Sequence, residues 1–232
     1  AYTLPTYALI DLDPGPRTTW EELLTLARLN RTALEHLGVT GFPKVTGKRG
    51  IQVWVPIEHG RYDFSETSAW VEQVSRAVGA TVPELISWEW AKGQRKGRAR
   101  LDYTQNASIK TLVAPYAVRP VEGAAVSAPI TWDELDDPAL RPDHWGIHTI
   151  LERVAAIGDP FRGRSHSSRC CRRWAERAGA GRGAAGVVRG PGGTRRRAVR
   201  LSRRAGAPAT MRALPHWRAS HEPRTHRDHG RR

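Results

Sequence analysis

Cysteine is nearly absent from this chain of 232 residues, and its two cysteines, Cys170 and Cys171, are adjacent. Neighbouring cysteines build no disulfide framework and have no recognisable metal-ligand spacing, so a reducing compartment is expected. Methionine occurs once, at Met211, and the chain begins with Ala1. That start reads as a piece of a longer protein with an N-terminal part upstream. No apolar run approaches the roughly 20 residues that span a bilayer, and no charged, apolar, small-residue order marks a signal peptide. A soluble, intracellular chain with no membrane partner is therefore expected. There is no internal repeat, and the length suits one domain with a core plus an appendage.

The net charge of +14 suggests a nucleic-acid binder until its distribution is followed along the chain. Residues 1–163 hold 18 Lys and Arg against 20 Asp and Glu, whereas residues 164–232 hold 19 against 3. The second stretch also lacks Lys, Ile, Phe, Tyr, Asn and Gln. Arginine, glycine, alanine and proline have GC-rich codons, so this composition fits a GC-rich gene read out of frame. The functional alternative is a basic arm for nucleic acid, with "RCCRRW" and "GTRRRAVRLSRR" as its contacts. Either way, too few apolar residues are present to offset the entropy of ordering, and disorder is expected. The organisation expected is a folded domain over 1–163 followed by a tail over 164–232.

Within the first stretch, Tyr7 to Leu12 reads as a strand halted by Pro14-Gly15. "TWEELLTLARLNRTALEHLG" predicts a helix with a Thr19-x-x-Glu22 capping box, an apolar stripe through Trp20, Leu23, Leu24, Ala27, Leu34 and Leu37, and Gly38 as its stop. "IQVWVPI" predicts a strand over 51–57, and "DFSETSAWVEQVSRAVG" a second helix ended by Gly79. "RARLDY" (98–103) and "KTLVAPYAV" (110–118) read as strands. A short closing helix in "HTILERVAAIGDP" places Ile150, Leu151, Val154 and Ile157 at helical spacing. Strands with helices packed on them give an α+β domain with a mixed or antiparallel sheet.

Two aspartates interrupt the first strand. Alternate strand residues share a face, so Asp11 and Asp13 project together while Ile10 and Leu12 turn to the core. Such a pair is either a solvated strand end or a site for hard divalent cations. "VTGKRGIQVWVPI" supplies Thr46, Gly47, Lys48, Arg49 and Gly50, which form either a basic turn or a loop whose amides and cations cradle phosphate. It has neither the spacing nor the ending of a Walker A loop. Asp102 stands between Leu101 and Tyr103, where a carboxylate is either half-exposed, paired or metal-bound. Lys110 and Arg119 are surface cations or polyphosphate contacts. "KGQRKGRAR" (92–100) is either a solvated hairpin or a phosphate-contacting segment, and Trp88 and Trp90 read as core residues.

Taken in order, "IDLDPG", "GFPKVTGKRGIQVWVPI", "LDYTQNA", "KTLVAPYAVRP" and "PITWDEL" resemble the polymerase domain of bacterial DNA ligase D, in the archaeo-eukaryotic primase superfamily, and above all its actinobacterial members. The resemblance runs from Tyr7 to Phe161. It implies an RRM-like catalytic sheet and a nucleotidyltransferase whose Asp11, Asp13 and Asp102 hold Mg²⁺ or Mn²⁺. It also implies that Thr46, where the family usually has serine, with Gly47, Lys48, Arg49 and Gly50, touches the nucleotide phosphates. Gln52 stands where many members have histidine at that contact. Lys110 and Arg119 match positions near the triphosphate, while Ile109 departs from the usual small residue. The implied partners are DNA ends or primer-template, nucleoside triphosphates, a DNA ligase and an end-binding protein. The implied setting is end-joining repair at the bacterial nucleoid.

The family carries a substantial portion before its first aspartate motif, so the sequence is expected to represent the metal-bearing half. Two rivals remain. A metal-dependent glycosyltransferase would use Asp11 and Asp13 but leaves Asp102 and the glycine loop idle. An impaired remnant would bind nucleic acid without catalysis. Because residues 164–232 offer little apolar surface to bury, deleting them is expected to leave the thermal midpoint unchanged. Loss of cooperative unfolding on deletion, measured by calorimetry, would show that the segment belongs to the domain.

Overall fold

The computed structural model describes residues 4–162. The expectations for the tail concern residues outside that range. Four antiparallel strands form one sheet in the order β2-β3-β1-β4, with three α-helices: β1 is Tyr7–Asp13, α1 Trp20–Leu37, β2 Phe42–Val45, β3 Ile51–Pro56, α2 Phe64–Thr81, β4 Arg100–Leu101 and α3 Ile150–Ile157. The architecture is α+β, as the pattern of elements implied.

The sheet has two unlike faces, set by the period of two along its strands. Ala8, Ile10 and Leu12 of β1 stand beside Val55, Val53 and Ile51 of β3, and all six are buried. They share the core with Leu23, Leu26, Ala27 and Leu34 of α1 and Val71, Val74 and Val78 of α2. Each such side chain contributes about 1.5–3 kcal/mol on burial. The opposite face carries Leu9, Trp54 and Phe42 in one row and Asp11, Gln52 and Lys44 in the next. This polar row positions the candidate site.

Local chemistry explains the helix limits. Thr19 and Glu22 close a capping box on α1, and Gly38 ends it at φ 65° in the left-handed region that glycine enters without steric cost. A second capping box, Asp63 with Glu66, opens α2. Gly79 does not stop this helix, which continues to Thr81. A Cβ at Gly79 would stand 2.7 Å from Cζ2 of Trp88, so this glycine admits an indole against the helix.

Two other expectations are corrected, whereas the short closing helix is found as α3, with Gly158 at its end. "RARLDY" yields only the two-residue β4, because the Asp102 carboxylate accepts from the amide of Thr104 and starts a 3-10 turn over Tyr103–Gln105. "KTLVAPYAV" forms no strand: Pro115 lacks an amide donor, Tyr116 adopts φ 63°, and only Val118 makes an isolated bridge, to Val126. In α3 only Ile150 is buried, while Leu151 and Ile157 are 74% and 53% exposed. An unforeseen strand, β2, pairs with β3 and places Lys44 inside the sheet.

Beyond the short β4, a side chain continues the ladder. Asn106 Oδ1 accepts from the Leu9 amide at 2.8 Å, and its Nδ2 donates to the Leu9 carbonyl at 2.8 Å and to the Tyr103 carbonyl at 2.9 Å. Replacing Asn106 by Ala strands the buried Leu9 amide, at a cost of about 1–3 kcal/mol. Chemical denaturation of Asn106→Ala is expected to show that loss. Unchanged stability would mean that water takes over the pairing.

Candidate active site

Asp11 lies where three strands and a turn converge. Its backbone carbonyl accepts from the Asp102 amide at 2.8 Å, which draws the second acidic segment beside the first. Its carboxylate accepts from Gln52 Nε2 at 3.0 Å, and Gln52 Oε1 accepts from the Trp54 indole at 3.4 Å. Trp54 thereby selects which end of the Gln52 amide faces the carboxylate. Burial pushes the Asp11 carboxyl up to about 7; the Gln52 hydrogen bond opposes this, Asp13 and Asp102 add to it by repulsion, and Lys44 offsets it.

Asp13 and Asp102 are already partnered. Arg95 Nη1 donates to Asp13 Oδ2 at 2.7 Å, while Lys92 approaches the other oxygen at 3.7 Å. Arg95 is buried, and its remaining nitrogens donate to the carbonyls of Glu89 and Trp90, both at 3.0 Å. Asp102 accepts from the Thr104 hydroxyl at 2.6 Å and Gln105 Nε2 at 2.9 Å, with Arg100 Nε at 3.4 Å. Burial alone would raise the Asp102 pKa, but these hydrogen bonds and the Arg100 charge hold it below the usual carboxylate value. Among the described residues, no three acidic, histidine or cysteine side chains gather as a ready ligand set. The three carboxylates interact electrostatically, yet each is turned to its own protein partner.

The glycine loop joins β2 to β3. Thr46 Oγ1 accepts from the Gly50 amide and the Gly50 carbonyl from the Thr46 amide, both at 3.0 Å. Gly47, at φ 70°, leaves no room for a side chain: a Cβ would stand 2.7 Å from Cγ of Arg119. Arg119 therefore packs on the loop, and its Nε is buried with no hydrogen-bond partner among the described residues. Arg49 donates to the Gly15 carbonyl at 2.7 Å, tying the loop to the turn after β1, and Lys48 is exposed. Lys110 is set apart from this loop, with Nζ 5.3 Å from the Trp90 ring centroid.

Gln52, for which the family resemblance implies a phosphate contact, donates to Asp11 here. Lys44 and Trp54 lie outside the expected site residues, and Arg95, expected only within a solvated or phosphate-contacting segment, pairs with a carboxylate. Lys44 is fully buried, and its Nζ donates to Ser127 Oγ at 2.6 Å. Burial lowers its pKa to about 7, against the pull of Asp11, and the Arg119 charge lowers it further. One signal was available, a lysine inside the apolar run "GFPKV". Arg95 carries no comparable mark, since its partner lies 82 residues away.

A family model described as the LigD primase-polymerase domain matches residues 1–161. The chain is 31% identical over 157 residues to the bifunctional non-homologous end joining protein LigD of Bacillus subtilis, covering 68% of this chain and 26% of that protein. It is 34% identical over 156 residues to the multifunctional non-homologous end joining DNA repair protein LigD of Mycobacterium tuberculosis, covering 66% and 20%. The polymerase domain of Mycobacterium tuberculosis ligase D, solved in complex with DNA, superposes with a TM-score of 0.63 at 31% identity, covering 69% of this chain and 55% of that one. The chain thus spans only a fifth to a quarter of these two LigD proteins.

The buried lysine carries a stability signature. With a folded pKa near 7 and an unfolded value of 10.5, Lys44 binds fewer protons folded than unfolded between those pH values. Its destabilising effect is complete below about pH 7 and is relieved as the pH rises toward 10.5. Lys44→Met is expected to raise the thermal midpoint at pH 6 to 7, with the gap from the parent narrowing by pH 10. A gap that widens with pH would overturn this account.

Proposed function

The chain belongs to the LigD primase-polymerase domain family, and from that premise we propose that it is the carboxylate-bearing part of a nucleotidyltransferase that adds nucleotides to a DNA primer end during end-joining repair. The observation that carries this reading is the electrostatic coupling of Asp11 to Asp13 and Asp102 on the polar face of the sheet. Asp13 and Asp102 raise the proton affinity of Asp11 by repulsion, and a hard cation relieves that repulsion. Carboxylate oxygens are the donor type that Mg²⁺ and Mn²⁺ take. Asp11, Asp13 and Asp102 would hold those ions, which when bound favour attack by the primer 3′-hydroxyl and offset the charge of the departing pyrophosphate.

The remaining roles fall to side chains of this chain. Gln52 and Trp54 orient the Asp11 carboxylate. The amides of the Thr46–Gly50 loop, with Lys48, Arg49 and the half-buried Arg119, form a cationic rim for the triphosphate, and Lys110 adds charge beside Trp90. Arg95 and Lys92 neutralise Asp13 in the absence of substrate, so a cation has to displace or reorganise them. DNA and nucleoside triphosphates are the proposed substrates, and a DNA ligase and an end-binding protein the proposed partners. Among the described residues no helix is long and apolar enough to cross a membrane. The family assignment removes the ground for the glycosyltransferase alternative, which gave Asp102 no role.

The frameshift origin of residues 164–232 remains a proposal, tested by reading the coding DNA in all frames.

The decisive variants are Asp11→Ala and Asp13→Ala. Each is expected to abolish Mn²⁺-dependent primer extension while leaving the circular dichroism spectrum close to that of the parent. Near-normal extension by either variant would overturn the assignment.

A further inference from the structure

Trp90 does not sit in the core, contrary to the sequence reading. It is 61% exposed, one of few large apolar side chains left to solvent among the described residues, whereas Trp88 packs against Gly79 and under Arg76. Exposure of an indole gains nothing for the fold, since its apolar area remains in water. Its position is nonetheless tightly held. The Trp90 carbonyl accepts from Arg95 Nη2 at 3.0 Å, and the same guanidinium binds Asp13. The guanidinium carbon of the buried Arg100 lies 4.9 Å from the Trp90 ring centroid, while Arg100 Nε approaches Asp102 at 3.4 Å. Two buried arginines, each engaged with a carboxylate of the site, thus support one exposed ring.

The surroundings of the ring are cationic. Lys110 Nζ lies 5.3 Å from its centroid, and Lys92 and Lys96 are exposed on the segment that follows. Ile109, next to Lys110, is 90% exposed and adds apolar surface. An exposed indole with the mobile-chain cation Lys110 over its ring, where an arriving base would displace it toward the attached phosphate, suits a ligand that is flat, apolar on its faces and attached to phosphate. It suits an apolar protein surface poorly, because docking would strip water from exposed ammonium groups.

We propose that Trp90 is a stacking platform for an unpaired nucleobase at the rim of the carboxylate site, with Lys92, Lys96 and Lys110 holding the attached phosphates. The base belongs either to a single-stranded stretch of DNA or to a free nucleotide, and the chemistry of the contact is the same. The nature of the ligand rests on the polymerase reading, but the contact needs neither metal nor catalysis. Arg100 beneath the ring strengthens the stack through its cation–π contact.

The test measures binding of fluorescein-labelled oligothymidylate, and of an abasic oligomer of equal length and charge, to the full chain in EDTA. Comparing the two cancels the electrostatic attraction of the arginine-rich residues 164–232, which both oligomers share. Trp90→Ala is expected to weaken oligothymidylate binding about 10-fold, to leave the abasic oligomer within about twofold, and to leave the thermal midpoint unchanged. Trp90→Phe is expected to restore most of the loss. Unlabelled thymidine triphosphate, titrated as competitor, identifies a free nucleotide as the base donor if its inhibition constant alone responds to Trp90→Ala. The proposal is overturned if both oligomers weaken equally, if no base-bearing ligand responds to Trp90→Ala, or if the parent chain binds the two oligomers alike. A failure of primer extension would overturn the catalytic reading and leave these binding results standing.

Discussion

An aspartate held in the middle of a sheet governs this structure. Burial raises the proton affinity of Asp11, and two further carboxylates raise it more. Removing an ionised group from water costs several kcal/mol after relaxation unless neighbours offset it. The fold answers with a polar row across three strands, Lys44, Gln52 and Asp11, on the face opposite the helices. Every later feature of the site is an adjustment to that row. Gln52 donates to the carboxylate, Trp54 orients Gln52, and Ser127 accepts from Lys44.

The second layer of compensation comes from outside the sheet. Arg95 and Arg100 are buried guanidiniums that approach Asp13 and Asp102, and both also donate to backbone carbonyls, of Glu89, Trp90 and Trp88. A planar cation with five donors can serve a carboxylate and a backbone turn together, which a lysine cannot do in one geometry. The segment before β4 is therefore shaped by the charge of the carboxylates. The exposed Trp90 is a product of the same arrangement, since its backbone is tied to Arg95 and its ring rests by Arg100. In the proposed enzyme, metal and nucleotide would compete with these protein cations for the same oxygens.

Features coded by short-range rules were legible in the sequence. The Thr19–Glu22 capping box, the stop at Gly38 and the alternation of Ile10 and Leu12 with Asp11 and Asp13 depend on neighbours within a few residues, and each reads directly. The α+β class and family motifs followed in the same way. Errors arose where a local signal competed with a distant partner. Gly79 resembles a helix stop, but the indole of Trp88 makes it an internal contact. Val113 to Val118 has strand-like composition, yet the backbone turns at Tyr116 and pairs irregularly with residues 125–127.

By itself the sequence determined which carboxylates stand on one strand face, where the two long helices begin, and that a glycine loop with cations precedes β3. These follow from a period of two, a period of 3.6 and the conformational freedom of glycine. Only the tertiary structure decided the partners: Gln52 on Asp11, Arg95 on Asp13, Lys44 buried beside Ser127, and Trp90 turned to solvent. Their separations along the chain, 41 residues for Gln52–Asp11, 82 for Arg95–Asp13 and 83 for Lys44–Ser127, explain why. Electrostatic compensation depends on distance in space, and no residue pattern records that distance until the sheet has closed.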